Sequence, residues 1–144
     1  MTTILFACVH NAGRSQMAAA FFNELADPGR ARAVSAGTEP GDAVHPIVVD
    51  VMKEAGIDIS SQRPRRITAE LAGNARLLVT MGCGDQCPVV PGLERADWPL
   101  PDPKDRPLAE VRAIRDDIRL RVLRLVALRR WDRGAIGPQG ALSQ

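Results

Sequence analysis

The period of the apolar positions changes several times along the chain, and each change predicts an element. Ile4-Leu5-Phe6-Ala7 is short and continuously apolar, as in a strand covered on both faces. Over residues 15–26, Met17, Phe21, Phe22 and Leu25 recur at helical spacing until Asp27-Pro28-Gly29 stops the helix. A second strand is predicted over 31–36. Ile47, Val48, Val51 and Met52 then give a helix over 46–55, with Gly56 suited to the position just past its end. The stretch 57–74 reads as a connection with a short helix near 68–71 and a basic cluster of Arg63, Arg65 and Arg66. A third strand is predicted over 75–80 and a fourth near 95–98. The closing helix starts near Pro107 and carries Leu108, Val111, Ile114, Ile118, Val122 and Leu125 on one stripe.

Strands alternating with helices predict an α/β chain with a parallel sheet. Its 144 residues suit one domain, expected over 1–131, with a flexible tail over 132–144 where glycines gather. The formal charge is +2 with both signs interspersed, which argues against nucleic acid or a membrane surface as partner. The N-terminus lacks a basic segment followed by a long apolar one, so the cytoplasm is the expected location. Three cysteines in such a compartment suggest catalysis or metal binding before a disulfide framework.

Chemistry concentrates in Cys8-Val9-His10-Asn11-Ala12-Gly13-Arg14-Ser15, between the first strand and the first helix. A strand-to-helix loop aims successive backbone N–H groups at one spot, and the helix dipole adds positive charge there. The peptides of Val9, His10, Asn11, Ala12, Gly13 and Arg14 are therefore candidates to hold a tetrahedral oxyanion, and Arg14 adds a planar guanidinium for bidentate contact. Cys8 is expected on the cradle floor, where cationic groups and a helix N-terminus favour the thiolate. Ser15 is expected both to cap the helix and to donate to the sulfur. His10 is a candidate either for ligand contact or for backbone shape; His45, just before the second helix, reads as a helix-entry residue.

Phe6 to Ala18, with this Cys-x5-Arg-Ser loop, resembles the low-molecular-weight tyrosine phosphatases and the arsenate reductases built on the same fold, and is closer to the reductases. The resemblance spans about residues 3–130. It implies a flavodoxin-like, doubly wound, four-stranded parallel sheet in the order 2-1-3-4, with the oxyanion loop at the switch point. Family members carry an Asp-Pro whose aspartate is the general acid, and Asp102 in Leu100-Pro101-Asp102-Pro103 is the matching residue. The phosphatases set aromatic residues, often tyrosines, beside that aspartate. This chain has no tyrosine, and Lys104 and Asp105 follow Pro103.

The reductases instead add a redox pair after the third strand, where Cys83 and Cys87 stand. The resemblance thus implies arsenate reduction by Cys8, with Arg14, Ser15 and Asp102 in support, a thiol relay through Cys83 and Cys87, and electrons from thioredoxin. No tightly bound cofactor is expected, and phosphate or sulfate should mimic arsenate. The alternative is arsenate transfer to a small thiol such as mycothiol, which needs only Cys8; a phosphatase, or a non-catalytic zinc or oxyanion-binding regulator, ranks lower. Two features depart from the best-known thioredoxin-coupled members. Their redox cysteines are spaced more widely than Cys83 and Cys87, and this chain keeps Asn11 and Ser35 of their potassium site but has Ala19 and Arg63 where acidic and hydroxyl ligands would stand. No metal is expected: a zinc site from Cys8, Cys83, Cys87 and His10 lacks closely spaced cysteine pairs, and Arg14 would oppose the cation.

Overall fold

Strand β1 (Thr2–Cys8) is the spine of the sheet, its residues from Ile4 onward buried because both of its faces are covered. The computed structural model describes residues 1–82 and 90–133; Cys83, Cys87 and the glycine-rich end over 134–144 lie outside the described residues. Parallel β2 (Ala31–Gly37) pairs with one edge of β1 and parallel β3 (Leu77–Thr80) with the other, and β4 (Glu94–Asp97) pairs with β3. The order is β2-β1-β3-β4, as expected. Chain order reverses at β1, so the crevice beyond its carboxyl end is the switch point, and the residue at that end is Cys8.

Alternation along β1 divides two apolar clusters. Ile4 and Phe6 face a core shared with α1 (Arg14–Leu25), α2 (Pro46–Glu54) and α4 (Leu108–Leu128), through residues such as Met17, Phe22, Val51 and Ile118. Leu5 and Ala7 face a smaller cluster with Ala36, Leu78 and Ala72 of α3 (Ala69–Gly73). Each fully buried large apolar side chain contributes roughly 1.5–3 kcal/mol and an exposed ion pair ~0–1 kcal/mol. Burial of Phe6, Phe21 and Phe22 therefore outweighs the ion pairs that decorate α4.

Helix α2 ends in a Schellman motif: Gly56 at φ +85° donates to Lys53 O, and Ile57 N–H donates to Met52 O. Two details of α4 differ from the expected stripe. Val126 is buried and Leu125 only partly so, while Leu108 is 42% exposed at the helix start. The stripe thus drifts toward Val126 in the last turns, as a 3.6-residue period requires. Pro107 is the N-cap residue, one position before its expected place. Beyond α4, Trp131 stacks edge-on against Phe22, and Asp132 bridges to Ala26. No helix among the described residues is long and apolar enough to cross a membrane.

Candidate active site

Cys8 ends β1 and Arg14 begins α1, so the intervening loop is held between two rigid elements. Its carbonyls turn outward. Cys8, Val9, His10 and Ala12 each accept a backbone hydrogen bond, from Thr38, Glu39, Gly41 and His45 respectively. A peptide whose carbonyl is tied to one side presents its N–H to the other. The N–H groups of His10, Asn11, Ala12, Gly13 and Arg14 donate to no group among the described residues, which leaves them for an oxyanion. Gly37 permits the tight packing of β2 against the loop, because a Cβ there would lie 2.6 Å from Val9 O and 2.9 Å from Asn11 N.

Asn11 is the loop's hub. It is fully buried at φ +51°, a left-handed conformation that asparagine tolerates better than most residues. Its Nδ2 donates to Ser15 Oγ at 2.7 Å, while Oδ1 accepts from Arg65 N–H at 3.0 Å and from Gln16 Nε2 at 3.2 Å. Ser15 Oγ lies 2.9 Å from Cys8 Sγ. Asn11 donates to that oxygen and so holds the Ser15 hydroxyl against the sulfur, where either partner can donate. The expected capping role of Ser15 is corrected: it sits inside the first turn, and Gly13, the N-cap residue, supplies no side-chain cap. A helix end left uncapped suits an anion.

Arg14 is 8% exposed. Its Nη1 donates to Leu100 O at 2.9 Å, and its Nη2 stands 3.8 Å from Asp102 Oδ2. On another side Gly82, at φ +101°, leaves room for the guanidinium, since a Cβ there would come within 2.4 Å of Nη1. Asp102 is oriented from its own segment: Oδ1 accepts from Lys104 N–H at 3.0 Å, and the Asp102 carbonyl accepts from Arg106 Nε at 2.6 Å. Pro103 packs over the loop so closely that a Cβ on Gly13 would lie 2.8 Å from its Cγ. Gly13 is therefore required by this approach.

Cys8, Arg14, Ser15 and Asp102 thus meet at one end of the sheet. His10 anchors its ring through Nδ1 to Glu39 O at 3.0 Å, so its side chain serves the loop's shape. His45 is the N-cap residue of α2, as read from sequence, but it also borders the loop: its N–H donates to Ala12 O at 2.9 Å, and its ring lies beside Gly13. Burial pushes its imidazole pKa below the ordinary value; Lys104 and His10 act in the same direction, whereas Asp102 and Asp105 oppose them. The net effect favours the neutral imidazole. Its closeness to the loop was invisible in sequence, where the two are separated by a strand.

The basic cluster does not cover the mouth of the cradle; it staples the back. Arg65 Nε donates to Ser35 O at 3.1 Å, Arg66 Nη1 donates to Thr38 O at 2.8 Å, and Gln16 Nε2 reaches Arg63 O at 3.3 Å. The cavity there includes Gln16, Ala19, Ser35, Arg63 and Arg65 in its lining. No carboxylate lines it and two guanidiniums do, so it does not fit potassium.

Residues 3–132 match the family described as low molecular weight phosphotyrosine protein phosphatase. A Halobacterium salinarum protein provisionally named an arsenate reductase is 39% identical over 126 residues, covering 83% of this chain and 87% of its own. The arsenate reductase of Staphylococcus aureus is 36% identical over 125 residues, covering 83% and 92%. The solved structure of a thioredoxin-dependent arsenate reductase from Corynebacterium glutamicum superposes with a TM-score of 0.78 at 35% identity, over 89% of this chain. This chain spans 61% of that protein.

Proposed function

The chain belongs to the low molecular weight phosphotyrosine protein phosphatase family, and from that premise we infer that it reduces arsenate to arsenite with Cys8 as nucleophile. The observation that carries the reading is the meeting at one sheet end of Cys8 Sγ, Arg14, Asp102 and the loop N–H groups that are unpaired among the described residues. The sequence favours reduction over phosphotyrosine hydrolysis: Lys104 and Asp105 follow the Asp-Pro where an aromatic wall would stand, and Cys83 and Cys87 follow the third strand. Relatives named arsenate reductases support the same reading.

In the proposed reaction the Cys8 thiolate attacks arsenic(V), held by loop N–H groups and the Arg14 guanidinium. A sulfur–arsenic bond forms and an arsenic–oxygen bond breaks, Asp102 giving a proton to the oxygen that departs as water. Cys83 thiolate then attacks the Cys8 sulfur. A disulfide forms while the sulfur–arsenic bond breaks with its electron pair left on arsenic, which departs as arsenite. Two thiols have lost two electrons and arsenic has gained them. Exchange of Cys87 onto Cys83 frees Cys8, and a dithiol of the thioredoxin type reduces the Cys83–Cys87 bond.

The test is arsenite production from arsenate with thioredoxin, thioredoxin reductase and NADPH, using wild type and Cys83→Ser, beside a phosphatase assay. Turnover by wild type and its loss in Cys83→Ser is the expected result. Activity only with mycothiol and a glutaredoxin-like partner moves the reading to thiol transfer, and phosphatase activity alone overturns reduction.

A further inference from the structure

Behind the loop, between α1, β2 and the segment 59–65, lies a cavity of about 320 Å³ whose charge is unbalanced. That volume falls at the lower end of the range for small-molecule sites, roughly 300–1,000 Å³. Arg63 and Arg65 line it, and neither is in an ion pair among the described residues. Three arginines of α4 behave differently: Arg112 and Arg115 pair with Glu54, and Arg121 pairs with Asp117. Among the described residues both guanidiniums, which are exposed, are steered by backbone carbonyls alone, Arg63 by Ser60 and Gln62 and Arg65 by Ser35, which leaves N–H donors on each for another acceptor. The Gln62 amide and the Ser35 hydroxyl add further donors, and Ala19, Ala20 and Ile59 form an apolar wall.

We propose that this cavity is a second anion site, taking a tetrahedral oxyanion, free or as the head of a small organic ester, between Arg63 and Arg65. Two like charges lining one cavity repel each other, and a doubly charged oxyanion cancels both while accepting forked hydrogen bonds from each. The organic part of an ester would lie along the apolar wall. The site differs from the loop cradle in donor type, since guanidinium and amide side chains replace backbone N–H groups. It also touches the cradle from behind: Arg65 donates its backbone N–H to Asn11 Oδ1, and Asn11 donates to Ser15 Oγ beside Cys8.

The experiment is a titration of the uniformly ¹⁵N-labelled full chain at constant ionic strength, following Arg63 and Arg65 Nε–H, the side-chain amides of Gln16, Asn23 and Gln62, and the loop amides of residues 9–14. Sodium sulfate probes a free oxyanion and propylphosphonate probes an ester-like head. The cavity signals should saturate with a midpoint different from that of the loop amides. In Arg63→Gln/Arg65→Gln that midpoint should weaken at least tenfold while the loop midpoint stays within twofold. Tighter binding of propylphosphonate identifies an organic ester as ligand and tighter binding of sulfate a free oxyanion, and either order supports the site. Cavity signals that drift linearly without saturating indicate an adventitious ion only and overturn the proposal. So do signals that share the loop midpoint and ignore the substitutions. If the double variant fails to fold, Arg63→Gln alone carries the test, because among the described residues that guanidinium bonds only to carbonyls of its own turn. Binding is read without turnover, so the result stands apart from the arsenate reading.

Discussion

Arg14 Nη2 lies 3.8 Å from Asp102 Oδ2, joining the first residue of α1 to a proline-flanked turn that precedes α4. With the Asp102 side chain 42% exposed, the pair adds little to stability. Its effect is positional: it draws the carboxylate to the rim of the cradle, where a departing oxygen would sit. Asp102→Asn keeps the shape and removes the proton. It should lower kcat for arsenite production by roughly 10²–10⁴-fold with little change in KM, measured in the coupled thioredoxin assay. A kcat within threefold of wild type would remove Asp102 from the general-acid role.

Ser15→Ala should have two effects, since Ser15 Oγ accepts from buried Asn11 and hydrogen-bonds with Cys8 Sγ. Leaving the Asn11 amide unpaired costs about 1–3 kcal/mol, seen as a lower denaturant midpoint. Loss of the hydroxyl beside the sulfur should also slow alkylation of Cys8 by iodoacetamide. Unchanged alkylation with reduced stability would confine Ser15 to a structural role.

Gly37→Ala forces a methyl group into backbone, 2.6 Å from Val9 O, so the loop itself must shift. Phosphate or sulfate binding at the cradle should weaken at least tenfold even where the variant folds. Gly56→Ala is the control: it also changes a glycine, at φ +85°, but nothing lies within 4 Å of the added carbon. It should cost stability and leave anion affinity within twofold.

Glu54 has its carboxyl pKa held down at about 2, first by the Arg112 hydrogen bond and then by Arg115. A folded-state value below the ordinary 4.5 means that the contact stabilises above that pH and is lost as pH falls toward 2. The melting-temperature gap between wild type and Glu54→Gln should be widest at pH 6 and narrow between pH 4.5 and 2. Added salt should shrink it, because Glu54 and Arg112 are exposed. A gap that is constant with pH would mean that charge plays no part.

Much of this architecture was legible because its signals are local. The continuous apolar run at Ile4-Leu5-Phe6-Ala7, the helical spacing of Met17, Phe21 and Phe22 and the glycine after α2 report their elements through backbone preferences and burial periods a few residues long. Cys8, Arg14 and Ser15 were found together for the same reason, since one short loop carries them between a strand and a helix. Asp102 was reached only through resemblance, because nothing in its own segment announces a carboxylate over a distant loop. The sign of the rear cavity, the hub at Asn11 and the approach of His45 required tertiary contacts: strands β1, β2 and β3 had to pair before the 38–45 and 63–66 segments could reach the loop. Periodicity therefore determined the elements, and the short Cys-x5-Arg-Ser motif singled out Cys8 as the candidate nucleophile. Only packing between segments remote in sequence decided which carbonyls are tied outward, which N–H groups remain open and where Arg63 and Arg65 carry their charge, because those outcomes depend on spatial neighbours that no local pattern encodes.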